Sequence, residues 1–341
     1  MAAPARTRIA RTLVARTLAA LTIAGLALGC GGAARSTTGE PDAARATHTP
    51  SLPRVVPFDY VGQSWMRVPA RIGDGAETRM MIDTGMGVTL LTPEACARAR
   101  CVREGTWTGH RMSGQAVTLS LARVSSLTVA GHRVENAQVA VFDSDDIIHR
   151  DLGVDGIAGL DVFRDQPVTF DHPAMKVVLE SPDSLAARRK AGATAAVRVR
   201  HEGPSTDVFL PLALGPGLVA EMEVDSGSLH MILDDRFMPA LGIDPDSPAI
   251  ERKDGRDETG QPYVRRYAKL PRAAHVAAAS RVEVPRDATV MFQRIIHDGL
   301  LGQQFLMRYV VTFDLPRQAM IFSAPPARES SEPLSPPRRS P

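Results

Sequence analysis

The sequence has almost no lysine. Only positions 176, 190, 253 and 269 carry one, so nearly every positive charge is an arginine. Those arginines are scattered and the formal net charge is only +2, which leaves no basic patch for nucleic acid. The nine histidines show no metal-ligand spacing and there is no H-E-x-x-H, so a metal-dependent hydrolase has no ligand set; neither metal nor cofactor is expected. A serine hydrolase is excluded on similar grounds. Ser226 lacks the glycine two places earlier that a G-x-S-x-G elbow requires. His230, shortly after Asp225, reads as a core or rim residue rather than a ligand. Cysteine occurs only at 30, 96 and 101. The apolar run at 18–28 is too short to span a bilayer.

What is present is the composition of an ordinary soluble protein, 44% hydrophobic and 23% charged, in a chain long enough for two domains. The segment 1–29 stands apart. Arg6, Arg8, Arg11 and Arg16 precede the short apolar run, the pattern of an export signal. Its end, Leu26-Ala27-Leu28-Gly29-Cys30, resembles a bacterial lipobox, with Leu28 where a small residue is usual. That resemblance implies lipidation at Cys30 and a membrane-anchored protein of the bacterial cell envelope, facing the periplasm or the cell surface; plain secretion is the alternative. Residues 30–53 are rich in Ala, Gly, Ser, Thr and Pro and read as a flexible tether. Residues 324–341 are similarly biased and read as a disordered tail. In an exported chain Cys96 and Cys101 either bridge or remain two thiols that a helix would point apart.

The chain says one thing twice. Asp83-Thr84-Gly85 follows Met80-Met81-Ile82, and Asp225-Ser226-Gly227 follows Met222-Glu223-Val224. Pro69, Gly73 and Asp83 recur at one constant offset as Pro211, Gly215 and Asp225. Asp155-Gly156-Ile157-Ala158-Gly159 returns as Asp298-Gly299-Leu300-Leu301-Gly302, and Val168-Thr169-Phe170-Asp171 as Val311-Thr312-Phe313-Asp314, with the offset grown by a single position. One indel over such a distance marks an internal duplication. Each copy reads as a hairpin, 68–72 with 78–82 and 209–214 with 219–224, whose second strand delivers the Asp. Short strands follow at 88–91 and 230–233, then short helices at 93–100 and 235–241. Further strands are expected at 117–121, 126–129 and 134–142, with a turn at Ala130-Gly131-His132. Residues 181–195 have helical or linker composition. The expected division is a lobe at 54–185 and a second at 186–323.

A D-[ST]-G tripeptide alone is weak, because such turns are common. Here both copies are followed by D-G-apolar-x-Gly at almost the same distance, Asp83 by Asp155 and Asp225 by Asp298. This doubled pattern resembles the aspartic proteases, both retropepsin-like and bilobal pepsin-like. The resemblance covers about 54–323. It implies an all-β fold of two homologous β-barrel-like lobes with a cleft between them, and a catalytic pair Asp83 and Asp225. It further implies interlocking hydroxyls at Thr84 and Ser226, tight turns at Gly85 and Gly227, and threading segments at Ile157 to Gly159 and Leu300 to Gly302. Cys96 and Cys101 lie where pepsin-like enzymes carry a small disulfide loop. Met86 departs from the pattern, the lobes are short, and no flap tyrosine is identifiable. The implied activity is that of an endopeptidase acting on an extended polypeptide, as a monomer. A catalytically inactive peptide-binding or scaffold protein of the same fold is the alternative.

The chemistry follows without the name. Two carboxylates about 3 Å apart repel by roughly 5 kcal/mol at an effective dielectric near 20, so the pair holds one shared proton. The ionised member can take a proton from water while the neutral one donates to a carbonyl. Ser228, whose counterpart is Met86, is expected to donate its hydroxyl to Asp225, making Asp225 the anion and Asp83 the proton holder. Asp155 and Asp298 read as structural turn residues. The glycine-rich stretch 105–114, containing Trp107 and Gly109, is a candidate flap, with 255–260 its weaker counterpart.

Overall fold

The computed structural model describes residues 52–62, 64–142, 152–256 and 262–324. The export signal, Cys30 with most of the tether, the tail beyond Ala324, and Gly260 lie outside them. Strands dominate, as expected, and helices are few and short. The two copies meet in a six-stranded sheet. Val168–Asp171 pairs antiparallel with Val310–Asp314, and Thr169 faces Thr312, its counterpart in the repeated letters. The local two-fold axis therefore passes between them. The Thr169 hydroxyl donates to Glu180 (2.6 Å) and so accepts from Thr312 across the axis (2.7 Å). Phe170 and Phe313 pack edge-on beside it at 5.6 Å.

Each copy also builds its own larger sheet. In the first, Trp65–Ile72 pairs with Glu77–Ile82 and, on its other edge, with Ala116–Val129, which closes the sheet on itself. The expected strands at 117–121 and 126–129 are one element, because the residues between them stay paired with His132–Val141. Ala130 and Gly131 take positive φ (47° and 83°) in the tight turn, and His132 already belongs to the next strand. The second copy follows the same path with both long strands interrupted. Pro262–Lys269 is separated from Ala274–Val276 at Pro271, and Ala279–Val284 from Thr289–Phe292 at Pro285. Proline cannot donate to a ladder, which accounts for the breaks.

The helices expected at 93–100 and 235–241 are shorter, Pro93–Arg98 and Phe237–Ala240. Residues 181–195 hold a helix, Pro182–Ala191, with Ser181 and Ser184 capping each other, and the start of strand Ala193–Ala196. Cys96 and Cys101 are bridged. The helix ends at Arg98 and Arg100 turns left-handed (φ 54°), so the chain doubles back and the Cα atoms come within 5.1 Å.

Candidate active site

The two repeated motifs face each other. Strand Glu77–Ile82 runs parallel to Gly156–Ala158, and Leu218–Val224 runs parallel to Gly299–Leu301. The ladders continue into the motifs: Asp83 N–H donates to Ala158 O (3.0 Å) and Asp225 N–H to Leu301 O (3.1 Å). Each Asp is thus held by main chain at the end of a buried strand pair. Ile157 and Leu300 lie in these short strands, and Gly159 and Gly302 follow directly after the strand ends at Ala158 and Leu301. Gly156 and Gly299 allow the close approach: an added Cβ would overlap Leu90 O and Ile232 O respectively.

The hydroxyls interlock across the axis. Thr84 Oγ1 donates to Val224 O (2.7 Å) and accepts from Ser226 N–H (2.9 Å). Ser226 Oγ accepts from Thr84 N–H (3.0 Å) and reaches Ile82 O at 3.4 Å. Both residues are 1% exposed. The glycines then bring carboxylate against backbone. A Cβ on Gly85 would lie 2.6 Å from Asp225 Oδ1, and one on Gly227 would overlap Asp83 Oδ2. The Gly227 amide is shared, donating to Asp83 Oδ1 (3.1 Å) and Asp225 Oδ1 (2.9 Å). Gly85 N–H adds a bond to Asp83 Oδ1 (2.9 Å) and Ser228 N–H one to Asp225 Oδ1 (3.1 Å).

The hydroxyl contact expected between Ser228 and Asp225 is not made. Its hydroxyl donates to His230 O (3.2 Å), and only its amide serves Asp225. Each Asp receives two amide bonds, so those do not separate them. Burial raises Asp83, opposed by the Gly85 amide, by a hydrogen bond from Asp225 and by the Gly227 amide. Burial, then the charges of Asp83 and Glu223, drive Asp225 well above the ordinary carboxylate range. Both carboxyls are thus held above their ordinary range, as a buried pair that shares one proton. Glu223 is the residue that sequence reading missed. It sits opposite Met81 in the duplication, and a carboxylate inside an apolar strand was the available signal.

Other contacts join the halves around the site. Trp65 Nε1 donates to Gly227 O (3.0 Å), Gln303 Nε2 to Ser64 O (3.1 Å), and Arg164 Nε to Thr206 Oγ1 (2.6 Å). Trp107 and Gly109 lie on the hairpin Val102–His110 with Ala116–Val129, where an added Cβ on Gly109 would strike the Trp107 ring. The indole also abuts Gly203 of the second half. The hairpin tip crosses to that half: Ile296 N–H donates to Met112 O (2.9 Å). Gly255 packs on Tyr263 in a separate hairpin. His230 contacts Gln304 and the Tyr267 ring at the rim. Asp155 and Asp298 tie strands together, accepting from Thr78 Oγ1 (2.6 Å) and Glu221 N–H (2.9 Å). No group of three or more metal-ligating side chains occurs among the described residues.

The comparisons bear on this geometry. Residues 68–162 match the aspartyl protease family model. That span holds the first motif and its threading segment. No match is found among curated proteins. Among solved structures, the basic 7S globulin from soybean aligns with a TM-score of 0.50 at 13% identity, over 80% of this chain and 95% of that one. Conglutin gamma, a basic 7S globulin from lupine seeds, aligns at 0.48 and 10%, covering 80% and 95%, and edgp at 0.48 and 9%, covering 81% and 95%. At such identities the soybean likeness concerns the fold alone, a mostly β arrangement of the aspartic protease-like type.

Proposed function

We propose that the chain is an aspartic endopeptidase that cleaves extended polypeptides with Asp83 and Asp225. The observation that carries this reading is the pair of carboxylates brought together by two copies of one motif, locked by Thr84 and Ser226, and sharing the Gly227 amide. Asp83 takes a proton from an attacking water. Asp225 donates its proton to the carbonyl oxygen of the scissile amide, giving a neutral tetrahedral diol. Asp83 then passes its proton to the nitrogen while Asp225 recovers one from a diol hydroxyl, and the C–N bond breaks to release amine and acid, without a covalent intermediate. The steps belong to the coupled pair rather than to two separate acids.

The hairpin carrying Trp107 and Gly109 acts as the flap, opening at the Ile296–Met112 bond to admit substrate. The export signal and Cys30 support action in the cell envelope on a lipid anchor. The test is peptide-library cleavage between about pH 3 and about pH 8 by the protein and its Asp83→Asn and Asp225→Asn forms. Cleavage lost in both variants supports the enzyme. Peptide binding with no cleavage at any pH supports a binding or scaffold protein.

A further inference from the structure

We propose that Glu223 is a positioning residue of this site, a third carboxyl group whose ionisation opposes loss of the last proton from the Asp83–Asp225 pair. The inference rests on the peptidase reading and deepens it. Along Leu218–Val224 the side chains alternate. Ala220, Met222 and Val224 enter the core, while Glu221, Glu223 and then Asp225 share the opposite face. Glu223 is 7% exposed. Its strand neighbours are Phe209 on one side and Leu300 on the other.

The charged groups around it come from every packed element. His297 Nε2 lies 3.5 Å from Glu223 Oε2. From strand Ser205–Gly215 comes Asp207, from Arg198–Glu202 comes Arg200, and from the first motif comes Asp83. The cations are already engaged. Arg200 bonds Asp207 (3.1 Å), Arg198 bonds Glu221 (2.6 Å), and both guanidiniums lie over the Phe209 ring at 5.0 and 4.2 Å. The Phe209 ring in turn packs edge-on to His297 at 5.2 Å. His297 is held below its usual range by burial and by Arg200, so it faces Glu223 uncharged near neutral pH.

Glu223 is pushed up to about 8, by burial first and then by the charge of Asp207, with Arg200 opposing. Below that pH it is a neutral neighbour of the pair. Above it, its negative charge opposes loss of the proton on Asp225. In the first half the same position is Met81, so Asp83 has no carboxylate at that place on its own strand.

The experiment compares the pH profiles of kcat/KM for the protein, Glu223→Gln and Glu223→Met, the latter being the residue that the first half uses. The alkaline limb should move down by about one pH unit in both variants, with the acid limb held. A uniform fall in kcat with both limbs unmoved would mark Glu223 as merely structural and overturn the proposal. Carbon-13 carboxyl titration of the same proteins supplies a readout that needs no turnover. The Asp225 resonance should titrate at lower pH in both variants, and an unaltered Asp225 titration overturns the inference. If the parent protein cleaves nothing, the peptidase reading fails while the titration still decides the role of Glu223.

Discussion

Replacing Thr84 by valine tests whether the crossed hydroxyls hold the two halves together. Valine keeps the shape and removes one oxygen. That oxygen donates to Val224 O at 2.7 Å and accepts from Ser226 N–H at 2.9 Å, in a site 1% exposed. Water cannot replace either partner without opening the interface. A buried polar group left unmatched costs about 1–3 kcal/mol, so two orphans cost roughly 2–6 kcal/mol. The extra apolar surface of valine offsets under about 1 kcal/mol. The expected loss is therefore about 1–5 kcal/mol, read as a fall in urea midpoint with the slope unchanged.

Two companion variants make the reasoning exposed to failure. Ser226→Ala loses one firm bond, from Thr84 N–H at 3.0 Å, and a marginal one to Ile82 O at 3.4 Å, so it should cost about 1–2 kcal/mol. Thr84→Ser keeps the hydroxyl and sheds a methyl, at about 1 kcal/mol. The valine variant should thus be the least stable of the three. Valine within about 0.5 kcal/mol of the parent, or serine as damaging as valine, would refute the account.

Three further outcomes follow from the site and its surroundings. Gly85→Ala and Gly227→Ala should each lower kcat by roughly a hundredfold or more at unchanged circular dichroism, since the new Cβ meets the opposite motif's carboxylate and displaces the pair. The Cys96–Cys101 bridge closes a short loop, so a double Cys→Ser variant should lose about 2 kcal/mol of stability and retain the fold. Stability should also depend on pH in a definite sense. Burial raises Glu223 to about 8 and Asp161 to about 6, so their stabilisation is complete below the unfolded carboxylate range and is lost as pH rises through those values. His172, lowered by burial to about 4, acts oppositely, and its stabilisation is lost as pH falls from about 6.5. Denaturation should therefore show greater stability at about pH 6 than at about pH 9, by a few kcal/mol, and the reverse order would refute these assignments.

The duplicated letters revealed the parts of the site that rest on main chain. Asp83, Asp225, the crossed hydroxyls and the threading segments all follow from a repeat whose offset can be counted. The short elements were legible because Gly, Pro and β-branched runs punctuate them. What the sequence hid was contact between residues with no fixed spacing. Trp65 reaches Gly227 and Gln303 reaches Ser64 only after the halves fold together, and no local pattern encodes either bond. The Ser228 reading failed for a related reason. A hydroxyl beside a carboxylate in sequence has several acceptors within reach, and in the fold the one it takes is its own loop carbonyl at His230.

The same comparison shows why a duplicated site becomes unequal. A residue on the two-fold axis meets its own counterpart, so a change on one side alters the contact made by the other. Thr169 with Thr312 and Thr84 with Ser226 remain matched hydroxyls, and each pair bonds across the axis. A residue off the axis meets different neighbours in the two halves and is not bound by that constraint. In the first half Asp161 accepts Thr89 N–H (3.0 Å) and Thr89 Oγ1 (2.6 Å), whereas the corresponding positions in the second half are Gln304 and Met231. Glu223 and Met81 differ in the same way, close to the reacting carboxylates on their own strands. Pairing is therefore a property of the axis, and the choice of which carboxylate keeps the proton is a property of what surrounds it.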